Sequence, residues 1–285
     1  MQRFDYRIKE FTRHSWRNPD MKKVWEPRFR EARACIDELE WRSIVEGVRS
    51  CALRAVAPND LQASRARLAP YGLIVTPLEK IAAEDGYGSS LRAAHADERF
   101  NHWCAIGRVS NVRLIRSAHL SHDDEAVGQF LGYPPCCTRF HDLVRFEEGF
   151  MDTTWPMAQN TTQKRDISSA HIEIAEVSRC NVLLRWLGLK MVFHLPCCFD
   201  CPPTVEIADK LVEIALVEGF RQEIDWLEEM SAWPVEWSAL YGLAEITTPV
   251  GTITTVTDAT AERYRVSYRG GEISEGRGTD HQMES

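Results

Sequence analysis

The residues of greatest chemical capacity in this 285-residue chain are its nine cysteines, five of which fall in two short strings, PCCTRFH at Cys136–Cys137 and HLPCCFDC at Cys197, Cys198 and Cys201. The thiolate is the species that binds soft metals, so thiols crowded like this point to a metal or iron–sulfur centre. If the first string is helical, Cys137 and His141 share one face at a spacing of four, with Cys136 on the face beside them. The helix N-terminus next to both thiols favours their ionised form. In the second string, Cys198-x2-Cys201 has the spacing of a chelating knuckle, Cys197-x3-Cys201 fits a helix start, and His194 stands three residues ahead of Cys197. Pro196 and Pro202–Pro203 stiffen this loop from both sides, lowering the entropy lost on coordination. Neither string closes a four-ligand shell. Together they read as the halves of one site.

All-thiolate sites suit zinc or iron–sulfur clusters, and mixed Cys/His sites suit zinc. A chain with long amphipathic stretches and nine tryptophans has core enough to fold without a zinc staple. The first expectation is therefore an iron–sulfur (4Fe-4S) centre held by three or four of these five thiols, with His194 as ligand, ligand support or proton donor. Its work would be sulfur or redox chemistry on a small molecule or nucleobase. The alternative is a structural or regulatory zinc site using Cys137, His141, Cys198 and Cys201.

The strings LGYPPCC and HLPCCFDC resemble the pattern G-Y-P-x-C-C followed by H-x-P-C-x-x-x-C of a prokaryotic family, domain of unknown function 483. The resemblance covers about residues 121–220 and implies that Cys136, Cys137, His194, Cys197 and Cys201 are its motif positions. Cys198 departs from the pattern, where a small polar residue is expected, so the resemblance implies Cys136, Cys137, Cys197 and Cys201 as the ligands of the centre. The family supplies no activity.

Just upstream, His119, His122, Asp123, Asp124 and Glu125 form an acidic run. It reads either as a helix start whose acids favour the dipole or, at Asp123 or Asp124, as acid–base machinery. His171 is placed neither in nor out of the site. The sequence shows no P-loop, no G-x-G-x-x-G after a strand, no G-x-S-x-G and no H-E-x-x-H.

The elements that must position these residues read as α+β. A helix is expected from Pro27 to about Ala57, strands over 72–77, 102–108 and 112–118, and helices from Ser121 and through YPPCCTRFHDLVRFEEGF. DTTWPMAQNTTQKRD reads as a polar loop and Ser168–Leu187 as a helix, with Cys180 on its core face and Val177 beside it. LKMVFHL reads as a short strand or extended entry, followed by a helix from Pro202 to Met230 and a Thr- and Val-rich strand set. Residues 1–269 are expected to form one domain, and 270–285 a disordered tail.

The net charge of −8 is uneven: residues 1–33 carry ten Lys/Arg against five Asp/Glu. Interleaved with Phe4, Tyr6, Phe11, Trp16, Trp25 and Phe29, this basic arm either packs on its own domain or supplies a nucleic-acid surface. The acidic remainder argues against a dedicated nucleic-acid binder. With no apolar run of about 18 residues and no signal-peptide core, a cytoplasmic protein without a membrane span is expected. In such a reducing compartment disulfides are rare.

Overall fold

Asn18 starts the longest element, α1 (Pro19–Val45), by accepting a hydrogen bond from Met21 N at 2.8 Å, and Pro19 fills the first helical position, where no N–H is needed. The computed structural model describes residues 1–4, 8–83, 92–162, 164–175 and 179–270. Pro27 therefore lies inside α1 instead of opening it, and the helix stops well before Ala57. Met21, Trp25, Phe29, Ala32, Ile36 and Leu39 recur at helical spacing and form a buried stripe. This stripe packs on α7 (Pro202–Val217) and α8 (Arg221–Ser231), which the sequence suggested as one helix and which break at Gly219.

The basic segment 1–33 is not a free arm. Its strand β1 (Thr12–Trp16) pairs antiparallel with β9 (Gly251–Val256), Trp16 stacks on Phe29 at 5.3 Å, and Trp25 is fully buried. Phe4 and Phe11 remain exposed, and Tyr6 lies outside the described residues.

The fold is α+β, as expected. Seven strands form a mixed sheet in the order β1-β9-β8-β7-β10-β6-β5, with β5 at Lys164–Ile167, β6 at His171–Ile174, β7 at Val235–Leu240, β8 at Leu243–Thr247 and β10 at Tyr264–Tyr268. β6 and β10 run parallel. A second, antiparallel sheet has the order β2-β4-β3, from Cys51–Val56, Phe100–Gly107 and Ile74–Ala82. One face of it packs on Trp41 and Ile44 of α1 and on Leu68 of α2 (Leu61–Leu68). The other face meets α3 (Val109–Leu120) through Val112 and Ile115. Thus 112–118 is helix and not strand: its buried residues Val112, Ile115 and Ala118 fall three apart, a period that a short apolar run barely displays. No described helix is long and apolar enough to cross a membrane. The tail beyond Gly270 lies outside the described residues.

The largest departure is between Asp152 and Cys201. The expected polar loop contains α6 (Thr154–Asn160), with Thr153, Thr154, Trp155 and Met157 buried. Among the described residues, the expected helix over 168–187 is replaced by β6 and by irregular chain with one short turn at Arg185–Leu187. Ile174, Cys180, Leu184 and Leu187 are nonetheless buried, and Val177 lies outside the described residues. The spacing reported burial correctly and conformation wrongly. LKMVFHL forms no strand.

This irregular chain is anchored by one buried ion pair. Asp152 accepts from Arg185 at 2.6 Å, from the hydroxyl and N–H of Thr154, from Trp237 Nε1 at 3.0 Å and from Thr257 Oγ1 at 3.1 Å. Arg185 also donates to Val182 O and stacks over Trp186. The pair joins α6, β7 and the chain entering the cysteine region. Replacing Arg185 by Met leaves a buried carboxylate without its cation, so urea unfolding should show a loss of about 3–5 kcal/mol.

Candidate metal centre

The first pair of thiols is presented by a tight helical corner. α4 (Asp124–Phe130) and α5 (Pro135–Asp142) are joined through Gly132, whose φ of +71° is left-handed and whose missing Cβ would meet Arg49 Cβ at 2.7 Å. The two helices approach so closely that a Cβ on Gly128 would stand 2.9 Å from Thr138 Oγ1. Pro134 and Pro135 fix the entry, which puts Cys136 and Cys137 in the first turn of α5. Cys201 occupies the corresponding place at α7, immediately before Pro202. Both thiol groups therefore sit at positive helix ends.

The structure brings the two strings together. Cys137 Sγ lies 3.7 Å from Cys201 Sγ, Cys136 Sγ lies 3.8 Å from Cys201 Sγ, and the two neighbours Cys136 and Cys137 are 3.9 Å apart. With Cys197 they form a set of four sulfurs all within 4.8 Å of one another. Such a set can hold a metal ion. Cys198 Sγ is 3.8 Å from Cys197 Sγ but stands outside the four. Cys180 is buried as expected, against this cluster, with its thiol donating to Cys201 O at 3.3 Å.

The loop carrying Cys197 and Cys198 is tied down by α6 and the residues after it. Phe199 N donates to Thr161 Oγ1 at 3.0 Å, Thr162 N donates to Asp200 at 2.9 Å, and Asn160 Nδ2 reaches Cys197 O at 3.4 Å. Hydroxyls and amides of DTTWPMAQNTT thus work as loop anchors instead of forming a surface loop.

Without a cation these thiols cannot all ionise. Cys201 is held far below the usual thiol range because Cys137, Cys197 and Cys198 donate to it. Cys197 is pushed far up, chiefly by Cys137 and then by Cys198 and Cys201. At Cys137 the pull of Cys197 downward is outweighed by Cys201 and burial, which push it up to about 12. A divalent cation removes this conflict, since it favours the thiolate at every position.

His194 is not among the four. It is buried, its Nε2 bonds Thr204 Oγ1 at 2.9 Å, and that hydroxyl lies 3.4 Å from Cys137 Sγ. Burial, with the charge of Lys190, lowers its pKa to about 4, so the ring is neutral at pH 7. This places His194 behind a ligand, oriented by Thr204, a residue the sequence reading did not single out. His141 also lies outside the four and lines a neighbouring cavity with Asp124 and His194; burial, followed by Arg145, lowers its pKa. Asp123 caps α4, accepting from Ala126 N at 3.0 Å, while Asp124 reaches the cavity. His119 pairs with Glu79 at 3.0 Å, and His171 bonds Ser267 at 2.9 Å between β6 and β10.

Comparison with known proteins finds no matching family model, no matching curated protein and no matching solved structure.

The four-sulfur set makes a discriminating prediction. Cys136→Ser, Cys137→Ser, Cys197→Ser and Cys201→Ser should each lower metal affinity by at least about tenfold, whereas Cys198→Ser should retain full stoichiometry, as measured by competition with a chromogenic chelator.

Proposed function

We propose that this chain is a zinc protein in which one tetrahedral ion, held by Cys136, Cys137, Cys197 and Cys201, fastens the irregular segment 188–201 to the first turns of α5 and α7. The observation that carries this reading is the spacing of the sulfurs. Zinc–sulfur bonds of about 2.3 Å at tetrahedral angles separate the ligands by about 3.8 Å, against 3.7–3.9 Å for three of the six edges here and at most 4.8 Å for those to Cys197. A 4Fe-4S cluster attaches each thiolate to a different iron and holds them farther apart. The iron–sulfur centre expected from composition therefore draws less support from the geometry than zinc does.

Four thiolates leave no open coordination position, which is the pattern of structural zinc. The expectation that this chain needs no staple overlooked its own middle: the segment leading to Cys201 is buried and lacks regular hydrogen bonding. The resemblance to domain of unknown function 483 belongs to the same proposal, for the four ligands are motif cysteines and the departing Cys198 is the thiol left out. So does a cytoplasmic location, where these thiols stay reduced. Sulfur or redox chemistry at the ion has no support from a closed shell.

Elemental and sulfide analysis of anaerobically purified protein tests the reading. One zinc per chain, no colour and no acid-labile sulfide are expected, and removing the ion should lower Tm by more than about 10 °C. Iron with stoichiometric labile sulfide would sink it.

A further inference from the structure

A cavity of about 160 Å³ lies beside the metal centre, between α4, α5 and the chain at His194–Leu195. Its wall is apolar, formed by Leu131, Tyr133, Leu195 and the exposed ring of Phe146. Its charged residues are Asp124 and Asp142, and no Lys or Arg lines it. Arg145, whose charge reaches His141, turns its guanidinium to Met151 O instead. The Thr138 hydroxyl is engaged by Pro134 O at 3.4 Å.

The Tyr133 hydroxyl donates to Phe193 O at 3.5 Å, and His141 Nδ1 stands 3.8 Å from Asp142 Oδ1. His194 is 5% exposed, and its tautomer follows from the zinc reading, on which this step rests. A metal-bound thiolate at Cys137 only accepts hydrogen bonds. Thr204 has a single hydroxyl proton, so it donates to Cys137 Sγ and must accept from His194 Nε2. The ring proton is then on Nε2, and Nδ1 keeps its lone pair, with no partner among the described residues. The cavity thus presents acceptors, two carboxylates and an imine nitrogen, around an apolar wall. Two carboxylates with no Lys or Arg in the lining repel an anionic ligand.

We propose that this cavity binds a small organic cation: an ammonium or amidinium group on a compact apolar body, its N–H donors serving Asp124, Asp142 and His194 Nδ1 and its body lying against Phe146 and Leu195. The shape and acceptor pattern select against carboxylates and phosphates of the same size.

The test is calorimetric titration of the full-length, metal-loaded chain at neutral pH with benzylammonium, benzyl alcohol and benzoate, with metal content measured on the same sample. Benzylammonium should bind at least about tenfold more tightly than benzyl alcohol, and benzoate more weakly than both. Asp124→Asn with Asp142→Asn should lower benzylammonium affinity by about tenfold and leave benzyl alcohol affinity and metal content unchanged; the single variants should each show part of the loss. Nitrogen NMR should show His194 Nδ1 unprotonated and shifted by benzylammonium. Absence of benzylammonium binding, equal binding of benzoate or benzyl alcohol, an unchanged double variant, or a protonated Nδ1 overturns the proposal while a zinc-loaded sample leaves the metal reading standing. A chain that neither carries nor takes up metal overturns the metal reading, and the cation proposal falls with it.

Discussion

The described residues between β6 and α7 pass through the interior with almost no regular secondary structure, and their burial is the constraint on which the rest depends. Backbone polar groups in the interior must find partners, and a helix or strand would supply them automatically. Here they are supplied piecemeal. Arg185 donates to Val182 O, Asn181 caps Leu183 N at 2.9 Å and reaches Ser231 O at 2.7 Å, and Thr161 receives Phe199 N. The ion pair of Asp152 and Arg185 holds the near end of this chain, and the sulfur cluster holds the far end.

That arrangement explains how a thiol centre can serve a protein with an ample apolar core. The core contributes little to fixing an irregular path, because apolar contact is non-directional. Directional bonds are needed at the points where the path turns, and helix starts at α5 and α7 provide rigid places from which to make them. The cavity between α4 and α5 belongs to the same corner: Gly128, where the two helices meet closely, lines it, and the exposed ring of Phe146 borders it.

Much of the site was legible in the sequence because metal ligation depends on local spacing and on the rare choice of five clustered thiols. The helical starts at Pro135 and Pro202 were visible for the same reason. Spacing alone did not choose among the five; the expected four, Cys136, Cys137, Cys197 and Cys201, are the ones that meet, and they were chosen by the motif of the resemblance. Cys198 and Cys201 have the better knuckle spacing, yet Cys197 joins the four sulfurs, since the direction of each side chain follows from a loop anchored by Thr161 and Thr162 far back in the sequence. Thr204 looked like an ordinary first-turn residue of α7, and its role came from His194 and Cys137 meeting it in space. The helix expected over 168–187 failed because apolar spacing records burial, and a buried irregular chain flanked by core on several sides shows the same spacing.

The sheet is closed by its first strand. Thr12 of β1 lies opposite Thr255 of β9, 243 residues away, and the hydroxyls of the two meet at 3.3 Å. A nascent chain therefore cannot complete this sheet until β9 has been made, and contacts of such long range make for slow folding. The thiols of Cys136 and Cys201 are only 65 residues apart. During synthesis the part that carries the sulfur cluster can assemble first, and β1 must wait for β9.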